Sequence, residues 1–313
     1  MKFKKPNFWD YKKPNFLSYF LLPLTFPLII NNFLLNKKKV NKDEEKIKKI
    51  CIGNIYIGGT AKTPLTIKIY EILKALKFKT GTIKKFYKNH KDEQKILARK
   101  TNFYCEKNRI QALNKAVKNK LDVVIFDDGL QDKSINYDLK FVCFNNEIWI
   151  GNGLLIPAGP LREKVDSLSK FDAVFLNGNK KNNTYLKTSI KKYNSNIKIF
   201  ESFYKPINLN KLNINKKYLI FSGIGNPKTF KEILIKNKFN IIKEIVYPDH
   251  HNYKRGDIDY IRKLAKKLNL EILTTEKDYI KIESRNNQGI KFLKIELDIK
   301  NEKRLINYLK LRV

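Results

Sequence analysis

Short runs rich in Val, Ile and Phe recur along this chain, separated by segments whose apolar residues repeat at helical spacing. "IKKICIGNI", "KTGTIKK", "LDVVIFDDG", "LKFVCF" and "FDAVFLNG" read as strands, and "TPLTIKIYEILKAL" and "NRIQALNKAVKNK" as helices. Unbroken β-branched runs that alternate with helices predict an α/β fold with a parallel sheet covered on both faces. The order weakens over residues 179–215, which are rich in Asn and Lys. It resumes in "KYLIFSG", "PKTFKEILIKN", "FNIIKEIVY", "RGDIDYIRKLAKKLN" and "LEILTT", and a last helix lies near "NEKRLINYLKL". The predicted organisation is a membrane-anchor segment over residues 1–40, a P-loop-type domain over 41–185, and a second, smaller α/β domain over 186–313 that includes the linker.

Residues 16–35, "FLSYFLLPLTFPLIINNFLL", carry no charged side chain, and lysine-rich sequence flanks them on both sides. Twenty such residues just reach across a bilayer core. Pro23 and Pro27 would kink or break a spanning helix. No small-residue cleavage site follows, which argues against a secretory signal. The expectation is an anchor helix that either spans the membrane or enters one leaflet, with aromatics and lysines at headgroup level.

At 313 residues the chain can bury a full core without disulfides. Cys51, Cys105 and Cys143 lie far apart in apolar runs, without metal-ligand spacing. The net charge of +35 invites a nucleic-acid reading, but only eight of the 65 basic residues are Arg, and the lysines are spread rather than gathered. The charge instead favours anionic partners such as nucleotides, phosphorylated substrates or acidic lipid headgroups, and no nucleic acid is expected.

"CIGNIYIGGTAKTP", residues 51–64, places two glycines after a strand and a Lys-Thr pair before a helix. A phosphate loop needs those parts: inward backbone N–H groups, a lysine for the β- and γ-phosphates, and a hydroxyl for magnesium. Gly58, Gly59, Thr60, Lys62 and Thr63 supply them, although Tyr56 and Ala61 stand where the usual pattern has glycine. An ordinary strand–turn–helix fits the same residues. Asp127 and Asp128 end the buried run "LDVVIFDDG", where α/β sheets bind ligands, and paired carboxylates there suit Mg²⁺. "GNGLLIPAGPLREK" is a shaped loop in which Arg162 and Glu163 serve equally as a helix entry or as an anion clamp beside a metal-facing carboxylate. Two of the three histidines fall in "YPDHHNYKRGD", and Asp92 and Glu93 of "KDEQ" open a helix, where they suit its dipole.

Taken in order, "GNIYIGGTAKTP", "KDEQ", "FDDGLQDKSINYDLKFV", "GNGLLIPAGPLRE", "FSGIGNPKTF", "YPDHHNY" and "TTEKD" resemble the tetraacyldisaccharide 4′-kinase family of the lipid A pathway. The resemblance implies ATP-dependent phosphorylation, with Mg²⁺, of the 4′-hydroxyl of a tetraacyl glucosamine-disaccharide 1-phosphate. It implies a nucleotide site at Tyr56, Ile57, Gly58, Gly59, Thr60, Ala61, Lys62 and Thr63. Thr63, Asp127, Asp128 and Glu163 would face the metal, and Asn152 and Arg162 the substrate. Asp92 would accept the hydroxyl proton with support from His250, and Lys62 would stabilise the transferring phosphoryl group. The implied setting is an anionic leaflet on the cytoplasmic face of the inner membrane of a Gram-negative bacterium, with the enzyme expected to act as a monomer.

Two departures accompany the resemblance. Family members usually carry glycine at the position of Ala61, and a left-handed backbone there would cost an alanine about 1–2 kcal/mol. The family's serine–arginine–glycine–tyrosine–glycine loop is replaced by the shorter "GTIKKFYKNHKDEQ". Competing expectations are a membrane-associated P-loop nucleotide-binding protein and a family member without lipid kinase activity. A guanine-specific element is not supported, because Lys277 stands directly before Asp278 in "TTEKD".

Overall fold

The computed structural model describes residues 5–37, 47–88, 91–282 and 286–313, and within it the chain divides into two compact units. The larger comprises Phe3–Phe86, Lys100–Phe203 and Leu297–Val313; the smaller comprises Tyr87–Arg99 and Tyr204–Glu296.

In the larger unit, β1 (Lys48–Gly53), β2 (Thr80–Lys85), β3 (Phe103–Glu106), β4 (Val123–Asp127), β5 (Leu139–Asn145), β6 (Ala173–Asn177) and β7 (Lys198–Pro206) form one sheet with β12 (Ile295–Ile299). The order is β12-β7-β6-β5-β1-β4-β2-β3, and the contacts from β3 to β7 are all parallel. Crossovers run through α3 (Lys62–Ala75), α5 (Arg109–Lys118) and α6 (Thr184–Tyr193), and α10 (Glu302–Arg312) ends the chain. Central strands buried on both faces explain the apolar runs: β4 is buried throughout. Phe126, Phe144, Val174 and Leu176 pack with Leu113 and Ile190 from the helices to make the core. Fully burying each such side chain stabilises the fold by about 2–3 kcal/mol.

The smaller unit holds a four-stranded parallel sheet of β8 (Lys217–Ser222), β9 (Asn240–Val246), β10 (Glu271–Thr275) and β11 (Ile290–Leu293), in the order β11-β10-β8-β9. Its helices are α4 (Lys91–Lys100), whose last residue falls in the larger unit, α7 (Pro227–Lys236), α8 (Arg255–Lys267) and the short α9 (Glu276–Tyr279). Asn226 caps α7 through its side chain, and Pro227 takes the first helical position, where a missing N–H costs nothing.

The apolar N-terminal segment is not one helix. It breaks into α1 (Phe16–Phe20), a 3₁₀ turn over Leu22–Thr25 that contains Pro23, and α2 (Phe26–Lys37), with Pro27 in the first turn. The twelve residues of α2 extend about 18 Å, and no helix among the described residues is long and apolar enough to cross a membrane. Of the two expected forms of the anchor, a spanning helix or one that enters a single leaflet, the described residues do not form the first. Phe16, Phe20, Leu24 and Phe26 are exposed nonetheless, so the segment presents apolar side chains to its surroundings.

Polar contacts fix this segment to the larger unit. The Trp9 indole is buried and donates from Nε1 to the Pro157 carbonyl at 3.0 Å, and the Asn152 N–H donates to the Trp9 carbonyl at 3.0 Å. Asn32 donates to the Arg162 carbonyl at 2.9 Å. Gly151 makes the close approach possible: it sits at φ +59°, and a Cβ there would lie 2.0 Å from the Trp9 carbonyl oxygen. Gly151→Ala is therefore expected to destabilise the protein by about 2 kcal/mol or more. It should also speed trypsin cleavage after Lys12, and urea unfolding and limited proteolysis measure the two effects.

Candidate active site

The turn after β1 leads into α3, and its shape follows from a second segment laid against it. The Ile57 N–H donates to the Pro160 carbonyl at 2.9 Å and the Arg162 N–H to the Ile55 carbonyl at 2.7 Å, so Tyr56 and Leu161 form an antiparallel bridge. Asn54 braces the turn from inside, donating to Thr60 Oγ1 at 3.0 Å and to the Gly58 carbonyl at 3.3 Å. Thr60 is thereby buried, while Gly59 stays exposed. Ala61 sits at φ 67°, ψ 25°, in the left-handed region, so the alanine carries the strain that a glycine would avoid.

Lys62 and Thr63 open α3. The Thr63 hydroxyl donates to Asp127 Oδ2 at 2.8 Å, which joins the helix start to the end of the neighbouring strand β4. Asp128 follows at φ 59°, and its carboxylate lies 3.7 Å from Lys62 Nζ and 3.3 Å from Arg162. Arg162 also donates to Gln131 Oε1 at 3.2 Å, and the Gln131 amide donates to Glu163 at 3.1 Å and to the Asn54 carbonyl at 3.0 Å. The larger unit thus brings together Gly58, Gly59, Thr60, Lys62, Thr63, Asp127, Asp128, Arg162 and Glu163. Tyr56, Ile57 and Asn152 have polar groups already engaged within the protein. Tyr56 is a core side chain whose hydroxyl donates to Asp10, and the Ile57 N–H is already committed to Pro160. Asn152, expected at the substrate, is buried and donates to Ser18 Oγ and the Ala158 carbonyl, both at 3.0 Å. Its contacts are those of a strut between the "GNG" loop and the N-terminal segment.

Residues outside the expected set complete this cluster. Arg109 donates to the Asp128 carbonyl at 2.5 Å and pairs with Asp132 at 2.7 Å, which holds the "DDGLQD" turn. Gln131 stands inside "FDDGLQDKSINYDLKFV", one of the stretches that carry the resemblance, but is not among the residues singled out there. Lys84 is buried, with Nζ 2.6 Å from Asp127 Oδ2.

The smaller unit assembles a second cluster. Asp92, buried in the first turn of α4, accepts from His250 Nδ1 on both carboxylate oxygens at 3.1 Å each. Because a carboxylate only accepts, this bond places the hydrogen on Nδ1. His250 itself adopts φ 56°, held by its N–H bonds to Asp249 Oδ1 and the Gly223 carbonyl. Lys277 in α9 reaches Glu93 at 3.3 Å, Asp92 at 3.4 Å and Asp249 at 3.6 Å. Burial opposes its charge, but those three carboxylates win and raise its pKa. Burial likewise pushes the Asp92 carboxyl up, yet the His250 hydrogen bond and the Lys277 charge outweigh it and hold the group at about 2. His251 belongs to the packing: its ring stacks on Tyr247 with centroids 4.5 Å apart, and Nε2 lies 3.0 Å from Asp257 in α8. Thr275 caps α9, and buried Asp278 accepts from the Thr275 hydroxyl and the Gly223 N–H, which sets Lys277 in place.

The family model described as tetraacyldisaccharide-1-P 4′-kinase matches residues 18–313. A tetraacyldisaccharide 4′-kinase of Pelagibacter ubique (strain HTCC1062) is 50% identical over 309 residues, covering 99% of this chain and 98% of its own. One from Rickettsia bellii (strain OSU 85-389) is 33% identical over 320 residues, covering 96% of each. The crystal structure of LpxK from Aquifex aeolicus, described as an "apo" form in complex with ATP, is similar with a TM-score of 0.67. It covers 94% of this chain and 98% of its own, and at 20% identity the likeness speaks for the fold.

Two outcomes follow from the geometry. Ala61→Gly is expected to raise the unfolding free energy by up to about 1 kcal/mol, because relief of strain exceeds the added freedom of the unfolded chain; urea denaturation measures it. Asp92 is held at about 2, below the ordinary 3.8, so its contribution is fully present above about pH 4 and is lost as pH falls towards 2. The shift corresponds to about 2 kcal/mol. The stability difference between wild type and Asp92→Asn should be largest above pH 4 and shrink by that amount towards pH 2, in urea titrations across that range.

Proposed function

The chain belongs to the tetraacyldisaccharide 4′-kinase family, and on that premise we propose which of its residues carry the reaction. The enzyme is a lipid kinase of lipid A biosynthesis, adding phosphate at the 4′-position of the tetraacyl disaccharide 1-phosphate. ATP is the phosphoryl donor and binds at residues 58–63, with Lys62 beside the β- and γ-phosphates. The observation that carries this reading is the bond from Thr63 Oγ1 to Asp127. It joins a hydroxyl at a helix N-terminus to a carboxylate at the C-terminal end of the adjacent parallel strand.

The donor set fits magnesium. Of the four expected ligands, Thr63, Asp128 and Glu163 offer hard oxygens, while Asp127 takes the hydrogen of the Thr63 hydroxyl, whose lone pairs can then face a cation. Among the described residues no three His, Cys, Asp or Glu side chains cluster to hold a metal alone. That suits an ion that keeps several waters and leans on substrate phosphates. When bound, Mg²⁺ neutralises phosphate charge during transfer.

Asp92 accepts the proton of the sugar hydroxyl. A carboxylate at about 2 is a weak base, but it is fully ionised at neutral pH, and the bidentate His250 contact fixes its orientation. In a loose phosphoryl transfer the proton leaves late, so orientation matters more than basicity. His250 and Lys277 are positioning residues for Asp92. Arg162, with Asp128 and Gln131 at its guanidinium, is the group placed to meet an anionic oxygen of the substrates.

The exposed apolar side chains of α1 and α2 enter the acyl region of one leaflet, and the lysines around them meet its anionic headgroups. On this reading the enzyme works at the cytoplasmic face of the inner membrane, acting as a single copy. The test is transfer of label from γ-labelled ATP to the tetraacyl disaccharide 1-phosphate in detergent micelles. Wild type should form product, and Asp92→Ala should lower kcat by about 10²–10⁴-fold with ATP binding retained. ATP binding without product in wild type would return the chain to a nucleotide-binding protein without lipid chemistry.

A further inference from the structure

Asp127 is fully buried, and its negative charge is matched from the neighbouring strand. β2 pairs with β4 so that Ile83 lies opposite Phe126, which brings the next residue, Lys84, level with Asp127. The Lys84 side chain is 2% exposed, and Nζ lies 2.6 Å from Asp127 Oδ2. The same oxygen accepts from Thr63, and Oδ1 accepts from Thr66 at 3.4 Å. The contact is therefore set by strand register and not by a freely chosen rotamer. We propose that Lys84 is the resident counter-charge of Asp127. It withdraws this carboxylate from direct metal binding and leaves it to orient the Thr63 hydroxyl. A divalent cation then enters the site only together with nucleotide phosphates.

Electrostatics leads to the same order of events. A buried ammonium and a divalent ion cannot both lie against one carboxylate in a low-dielectric interior without strong mutual repulsion. The Lys84–Asp127 pair is neutral as a unit. Asp128 is likewise matched, by Lys62 at 3.7 Å and Arg162 at 3.3 Å. Glu163, hydrogen-bonded by Gln131, and the Arg109–Asp132 pair at 2.7 Å complete the cluster. Four cationic heads (Lys62, Lys84, Arg109, Arg162) thus stand with four carboxylates (Asp127, Asp128, Asp132, Glu163), so these side chains offer a free divalent ion no net negative charge. A triphosphate supplies that charge when it arrives, and Lys62 and Arg162 are then free to turn from Asp128 to the phosphates.

The inference rests on residues 58–63 being the nucleotide site, and the experiment separates the two. Mn²⁺ binding to the full chain in detergent, without nucleotide, is followed by the electron paramagnetic resonance signal of the free ion. Removing the ammonium in Lys84→Met is expected to tighten Mn²⁺ binding at least about ten-fold, because ligand charge sets divalent affinity. The double variant Lys84→Met with Asp127→Asn replaces a neutral pair by a neutral pair and should stay within about three-fold of wild type. Unchanged Mn²⁺ affinity in a folded Lys84→Met protein overturns the proposal. A ten-fold loss in the double variant does so too, because it would show Asp127 binding metal in the wild type. Where Lys84→Met unfolds without metal, its melting temperature across a Mn²⁺ titration reads the same affinity. Binding of trinitrophenyl-ATP to wild type and to Lys62→Ala is measured alongside. Equal binding by the two would sink the nucleotide-site reading itself, whereas metal-free binding lost in Lys62→Ala leaves the manganese data to judge Lys84.

Discussion

A carboxylate with no access to water must be neutralised where it stands, and the larger unit is arranged around one such group. Asp127 ends the central strand β4, and everything that meets it comes from a different part of the chain. Thr63 and Thr66 arrive on α3, and Lys84 on β2. Moving β2 by one residue would turn Lys84 to the other face and strand both charges. The register of the parallel sheet and the geometry of the helix start are thus enforced by the same buried pair. The turn between β1 and α3 inherits its position from them, and the segment through Pro160–Leu161–Arg162 closes over it with backbone bonds.

Much of this was legible because backbone geometry is written in residue type. Val-, Ile- and Phe-rich runs gave the strands, and the glycines and Lys62-Thr63 marked the turn and the helix start. The aspartates after "VVIF" fell at the strand end where an open α/β sheet exposes its ligand edge. Partners joined through strand register were not legible. Lys84 stands in "TGTIKK", where a lysine at a strand end reads as solvated, and only the β2–β4 pairing turns it inward. Lys277 is hidden for a similar reason. Its neighbour Asp278 suggests a local ion pair, while its actual carboxylates come from α4 and from the turn before His250. Nor were the partners of Asn152 legible: the resemblance implies a substrate contact, and its amide donates to Ser18 and to the Ala158 carbonyl.

Ala61 and His250 show two ways of holding a left-handed backbone. Ala61 has no side-chain compensation, and the turn tolerates the strain because α3 and the Asn54 brace surround it. His250 is locked by two bonds to its own N–H, so the loop aims its ring before any substrate is bound. The N-terminal segment belongs to the same framework. Trp9, Asn32 and Asn152 tie it to the loop that carries Arg162, so outward-facing apolar side chains are joined by hydrogen bonds to the segment whose guanidinium meets Asp128 and Gln131.

The spacing of the polar contacts along the chain orders the assembly of the protein. Thr63 and Asp127 are 64 residues apart, whereas Asp92 and His250 are 158 apart. Closing the longer loop costs more chain entropy, although the excess grows only logarithmically. During synthesis from the N-terminus, Asp92 leaves the ribosome long before its histidine exists. The strands and helix around the turn between β1 and α3 are complete while α4 still waits for the rest of its own unit. Because α4 is inserted within the sequence of the larger unit, no single cut of the chain releases either unit whole. A nascent chain stalled before residue 250 therefore holds both Thr63 and Asp127 but lacks the histidine that orients Asp92.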